Sequence, residues 1–160
     1  MSTPFRRILV PHDFSESADA ALDLAVDLAA AQGARLDVLH VLEPFHPPPE
    51  IVTWLRESQQ IEPQLKRLEG LVAARVGRRR VTFQCQVVVG YPVNAILEAA
   101  RDADLIVMAT QGRTGIPHLL IGSVAERVVR HATKPVLTLR AGKAARRSRP
   151  VRSRSRRGRT

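Results

Sequence analysis

Short runs of consecutive apolar residues alternate along the chain with longer stretches in which apolar positions recur every three or four residues. The first run, Ile8-Leu-Val10, stops at Pro11 and reads as a buried strand. Ser15 to Gln32 follows with helical spacing at Ala21, Leu22, Ala25, Leu28 and Ala29. Asp13 or Ser15 suits its start and Gly33 its end, and Asp19, Asp23 and Asp27 mark a wet face. Arg35 to Leu42 carries apolar residues on both faces, as a central strand covered twice would. Four prolines between Pro44 and Glu50 predict a loop.

The second half repeats the alternation. Ile51 to Val76 is helical, with Leu65, Leu68, Leu71, Val72 and Val76 in phase and Pro63 expected to kink or restart it. In Val81 to Val89, the residues Val81, Phe83, Cys85 and Val87 point in while Thr82, Gln84 and Gln86 point out, the pattern of a strand near a sheet edge. Pro92 opens a helix with an apolar stripe of Val93, Ile96, Leu97 and Ala100. Leu105 to Met108 is a fully apolar strand, Ala109 to Gly122 a glycine-bearing loop, Ser123 to His131 a helix, and Pro135 to Leu139 a last strand. Strands alternating with helices imply an α/β fold, a parallel sheet with helices on both faces. Ligands of such sheets sit beyond the carboxyl ends of the strands, where the strand order reverses.

Charge divides the chain. Of 25 lysines and arginines, nine lie between Ala141 and Thr160, where no acidic residue occurs. The first 140 residues hold 16 basic and 15 acidic side chains and are near neutral. The expected organisation is a folded domain over 1–140 and a disordered arginine-rich tail over 141–160. The tail has the charge for sequence-blind contact with nucleic-acid phosphates, and no aromatic residue for base stacking. Ser148, Ser153 and Ser155 stand among its arginines, where phosphorylation would reduce the charge. One cysteine, Cys85, excludes a disulfide framework and reads as a small buried hydrophobe. With no signal core behind Met1 to Arg7 and no membrane-length apolar run, the expected location is cytoplasmic.

The candidate chemistry lies in the loop after the fourth strand. Gly122 and Ser123 stand at a helix N-terminus, where unpaired N–H groups and the helix dipole attract anions. Arg113 or Thr114 would add charge or a donor. The same stretch has a purely structural reading. Ser123-x-x-Glu126 has the form of a capping box, Gly112 and Gly115 suit turns, and Asp13 suits a helix cap. No Walker A, H-E-x-x-H, C-x-x-C or G-x-S-x-G pattern occurs, and the five histidines show no metal-ligand spacing. The expectation is a binding protein rather than an enzyme, with slow ATP hydrolysis left open.

Gly112, nine intervening residues and Gly122-Ser123, together with Ile8-Leu-Val-Pro-His-Asp13-Phe-Ser15, resemble the motifs of the universal stress protein family. The likeness spans residues from about 5 to 140. It implies an open five-stranded parallel sheet in the order 3-2-1-4-5, Rossmann-like and similar to adenine nucleotide alpha hydrolases. It further implies a stress-response homodimer, paired through the last strand, that binds ATP with or without Mg2+. Carried over by position, Pro11, His12 and Asp13 would lie at adenine and ribose, and Val41 would meet adenine through its backbone. Met108 and Ala109 would floor the site, and Gly112, Arg113, Gly122, Ser123 and Val124 would hold the phosphates. The chain departs from the pattern at Ala109, where the family has glycine. The rival expectation is a nucleotide-free dimeric scaffold whose tail binds nucleic acid or acidic partners.

Overall fold

The computed structural model describes residues 5–44, 53–111 and 121–140, with backbone alone described for 53–60. Residues 45–50 of the proline loop, Gly112, Arg113, Thr114, Gly115 and the whole tail 141–160 lie outside the described residues. The elements are β1 (Arg7–Pro11), α1 (Glu16–Gln32), β2 (Arg35–Leu42), α2 (Thr53–Val76), β3 (Phe83–Val89), α3 (Pro92–Ala99), β4 (Leu105–Ala109), α4 (Ser123–His131) and β5 (Val136–Leu139), with a 3-10 turn at Ala100–Asp102. All strand pairs are parallel, and the sheet runs β3-β2-β1-β4-β5.

The inner strands β1, β2 and β4 bury both faces because each face meets its own helical layer. Ile8, Val10, Leu36, Val38, Leu105 and Val107 pack with Leu22, Val26, Leu68 and Val72 on the α1–α2 side. Leu9, Leu39, Ile106 and Met108 pack with Ile96, Ala125 and Val128 on the α3–α4 side. This two-sided burial is the reason the strand sequences read as continuous apolar runs. β3, at an edge, keeps the alternating pattern its sequence predicts, with Gln84 and Gln86 exposed.

Local signals act much as the sequence implies. Ser15 caps α1, its hydroxyl accepting from the Ala18 N–H at 3.1 Å. Gly33 ends α1 in the left-handed conformation at φ 66°. α2 is one continuous helix through Pro63, so of the kink or restart expected there the restart does not occur. One expectation needs correction: Asp19, Asp23 and Asp27 form more than a wet face. They line the seam with α2, pairing with Arg75 at 3.0 and 2.8 Å and with Arg79 at 3.2 Å. Their four-residue spacing suits either role, and only the neighbouring helix decides between them.

Among the described residues, no helix is long and apolar enough to cross a membrane.

Candidate functional site

β1 has β2 on one side and β4 on the other, so the chain's order reverses there. β1 pairs with β4 through two register positions, Ile8 with Leu105 and Leu9 with Ile106, whereas its pairing with β2 extends to Pro11. The carboxyl ends of β1 and β4 part, and a crevice of about 400 Å³ opens between them. That volume falls within the roughly 300–1,000 Å³ typical of small-molecule sites.

The crevice gathers the residues nominated from the sequence. Pro11, His12 and Asp13 come from the end of β1, and Val41 from β2. Met108 and Ala109 come from β4, and Gly122, Ser123 and Val124 from the start of α4. Gly112 and Arg113 fall outside the described residues. The sequence reading passed over Thr110, Gln111, Glu43, Pro92 and Ile96, which also line the space. A signal for Thr110 was present: a hydroxyl directly after a strand that ends in the crevice.

The start of α4 explains the glycine. The helix N-cap is Gly122, which has no side chain to cap with, and Ser123 is the first helical residue. The capping box is therefore not formed. Glu126 instead accepts from Arg130 at 2.8 Å one turn on, so among the described residues no side chain caps the helix start. An uncapped N-terminus with about half a positive charge, facing a crevice, suits an anion. Gly122 has ordinary extended dihedrals, φ −74° and ψ 158°. Its requirement is space: its N–H donates to the Thr110 carbonyl at 2.6 Å, and a Cβ there would lie 3.1 Å from that same oxygen.

Thr110 supplies an orphan. It is 6% exposed, its backbone is used by Gly122 and Leu139, and its hydroxyl has no partner among the described residues. A buried hydroxyl left unpaired costs about 1–3 kcal/mol, and this one belongs to a crevice-lining residue. With the glycine cradle and the uncapped helix, it forms a donor set suited to a phosphorylated ligand.

Ala109, the departure from the family pattern, is accommodated. It closes β4 opposite Leu139, and its methyl packs on the α1–α2 core. Its backbone is not in the left-handed region; among the described residues Phe14 is the one non-glycine at positive φ.

The β1–α1 turn is held from several sides. Asp13 accepts from the Ser15 hydroxyl at 2.6 Å and from its N–H at 3.1 Å. The His12 side chain is fully buried, so its backbone rather than its ring is what the crevice receives. The ring stands on the α1 side, where Nδ1 accepts the Phe14 N–H at 3.1 Å and Nε2 faces Asp19 at 3.1 Å. A backbone N–H can only donate, so Nδ1 carries the lone pair and Nε2 carries the proton. Burial pulls the His12 pKa below its ordinary value, against the opposing pull of Asp19. His40 donates from Nδ1 to the His12 carbonyl at 2.7 Å. Phe14 sits at φ 63°, a conformation costing a bulky residue about 1–3 kcal/mol. Its ring contacts His40 and His12 at centroid distances of 4.6 and 5.5 Å, and the Arg67 guanidinium lies 4.0 Å above it.

Cys85 is half-buried in β3, its thiol pushed up to about 12 by burial and by Glu69. It carries no reactive thiolate at neutral pH.

Fold and site together define an open doubly wound α/β protein with a ligand crevice at its topological switch point and an anion-ready helix beside it. The chain belongs to the universal stress protein family, whose sequence profile it matches over residues 4–140. It is 35% identical over 139 residues to a universal stress protein of Thermus aquaticus, covering 85% of this chain and 99% of that one. Against the solved structure of MJ0577 of Methanocaldococcus jannaschii, the TM-score is 0.74 at 25% identity, with 89% and 100% of the two chains covered. A universal stress protein solved in complex with cAMP aligns at TM-score 0.64 and 27% identity, over 86% of this chain and 98% of that one.

Proposed function

We propose that this protein is a non-catalytic adenine-nucleotide-binding module, with ATP as its ligand, that acts as a homodimer in the stress response. The observation that carries the reading is the uncapped α4 N-terminus at Gly122, opening on the crevice beside the orphan Thr110 hydroxyl. Phosphates would be held by the N–H groups of Ser123 and Val124, with the Ser123 hydroxyl as a further donor. Gly112 and Arg113 join them by family position. Adenine would lie by the Val41 backbone and ribose by Asp13, as family position implies. That a similar protein is held in complex with cAMP supports an adenine nucleotide as the ligand class.

Binding without catalysis is supported by the use of His12. Both ring nitrogens of His12 are committed, one to Phe14 and one to Asp19, so this histidine is not poised as a general base. Dimerisation is supported by the open edge of β5, where Leu137 is 38% exposed and Val129 of the adjacent α4 is 49% exposed. A free apolar edge strand is a liability that pairing removes.

Calorimetric titration of ATP, with and without Mg2+, into the full chain tests the reading. Tripolyphosphate is the control, because the arginine tail would bind any polyanion. Saturable ATP binding that tripolyphosphate does not displace, and that is lost in Gly122→Val, is the expected result. Binding displaced equally by tripolyphosphate, or no binding to a folded dimer, would overturn it in favour of a scaffold whose tail binds nucleic acid or acidic partners.

A further inference from the structure

We infer that His12 is a positioning residue: its neutral ring is the latch that sets the β1–α1 turn of the crevice, and its protonation opens that turn and releases nucleotide. The inference rests on the adenine-nucleotide reading of the crevice and adds a regulation to it.

The latch is built from both sides. Phe14 is held in the left-handed region at φ 63°, and its N–H donates to His12 Nδ1 at 3.1 Å. That bond closes a turn of the Asx type, with an imidazole nitrogen in place of the usual carboxylate or amide oxygen. The turn carries Asp13 between the two residues that form the bond. On the far side of the ring, Nε2 meets Asp19 of α1 at 3.1 Å, and Arg75 of α2 holds the other Asp19 oxygen at 3.0 Å. A chain of three side chains thus ties the crevice turn to both helices of one layer.

Protonation would add a hydrogen at Nδ1, the atom that accepts from Phe14. Two donors would then face each other, and the left-handed Phe14 would lose the bond that holds it. The charged and titratable groups around the ring are Asp13 in its own turn, Asp19 from α1 with Arg75 behind it, and His40 from β2. Arg67 of α2 faces the adjoining Phe14 ring. The carboxylates favour the proton, while burial and His40 oppose it, and burial is the largest influence. The ring is therefore neutral at pH 7 and takes up a proton only below its ordinary pKa of about 6.5. The sign follows: the folded state binds this proton more weakly than the unfolded chain. The latch is fully present above pH 6.5 and is lost as pH falls through the lowered value.

His12→Asn separates the latch from its titration. The asparagine oxygen accepts the N–H two residues on, in the ordinary Asx turn, but gains no proton. ATP affinity of wild type and His12→Asn is measured by calorimetry from pH 7.5 downward, with folding checked by circular dichroism. The variant carries the ligand's own ionisation and corrects for it. Whatever the variant's affinity at pH 7.5, wild type is expected to fall tenfold per pH unit relative to it below the His12 pKa. Nitrogen NMR of the nucleotide-free protein should show the Nε2–H tautomer, and bound ATP should lower the His12 pKa further by linkage. His12→Phe, which keeps a ring but no acceptor, should bind weakly at every pH; if it does not fold, the asparagine variant carries the test. Parallel pH profiles for wild type and His12→Asn, or an Nδ1–H tautomer, would overturn the latch and leave nucleotide binding standing. Absence of saturable ATP binding at pH 7.5 would overturn the nucleotide reading and with it the regulation.

Discussion

Gly122→Ala is the most informative single change, because the structure separates its effect on stability from its effect on binding. The backbone at φ −74° and ψ 158° suits alanine, so no conformational strain is added. Losing glycine's freedom in the unfolded chain should stabilise by about 0.4–1 kcal/mol. Against this stands the new Cβ, 3.1 Å from the Thr110 carbonyl oxygen. That contact lies a few tenths of an ångström inside a comfortable distance, and it sits on the bond that docks α4 to the end of β4. The two effects are of similar size, so unfolding free energy should change by less than about 1 kcal/mol. Binding has no such compensation. A shift of the α4 N-terminus loosens N–H groups aimed at an anion, and a hydrogen bond to a charged group contributes about 1.5–3 kcal/mol. ATP affinity should therefore fall by about 10- to 100-fold. Urea denaturation and calorimetric titration, run on the same preparations, read the two quantities. Wild-type affinity in Gly122→Ala would refute the argument that the glycine is there for close approach. A loss of several kcal/mol in stability would refute the claim that its backbone is ordinary.

Three further outcomes follow from the same geometry. Thr110→Val removes an unpaired buried hydroxyl and should raise stability of the nucleotide-free protein by about 1 kcal/mol while weakening ATP; lower stability in urea would mean that the hydroxyl has a partner. At pH 8, with its thiol pushed up to about 12, Cys85 should be ionised in roughly one molecule in ten thousand, so thiol reagents should label it only on unfolding; labelling at a free-cysteine rate would contradict the burial argument. Thr138→Pro tests the proposed dimer. The Ile106 N–H donates to Pro135 and the Thr110 N–H to Leu139, so odd-numbered residues of β5 bond to β4 and the Thr138 N–H faces the open edge. The variant should run as a monomer on sizing with its sheet intact, and a persisting dimer would remove pairing through β5.

The element order was legible in the chain because it rests on local pattern. Runs such as Leu105 to Met108 can satisfy two apolar layers only as covered strands, and Ser15, Gly33 and Pro92 mark helix ends through their own backbone chemistry. The α/β class followed from that alternation. The order of strands in the sheet came with the family resemblance, since periodicity does not say which strand lies beside which.

Tertiary structure alone decided how the side chains at and around the site are partnered. Ser123-x-x-Glu126 fits a capping box, yet the carbonyl of Thr110 receives Gly122 and shifts the cap one residue earlier. Asp19, Asp23 and Asp27 fit a solvated face, yet Arg75 of α2 and Arg79 just beyond it come onto them. His12, just beyond β1, fits a ligand contact, yet its ring meets α1, where Asp19 and the Phe14 N–H take both nitrogens. In each case the residue type permits two partners, and the choice belongs to a group far away in sequence. Apolar periodicity is written locally because burial acts on one side chain at a time. A hydrogen bond has two ends, and the second is supplied only when the chain has folded.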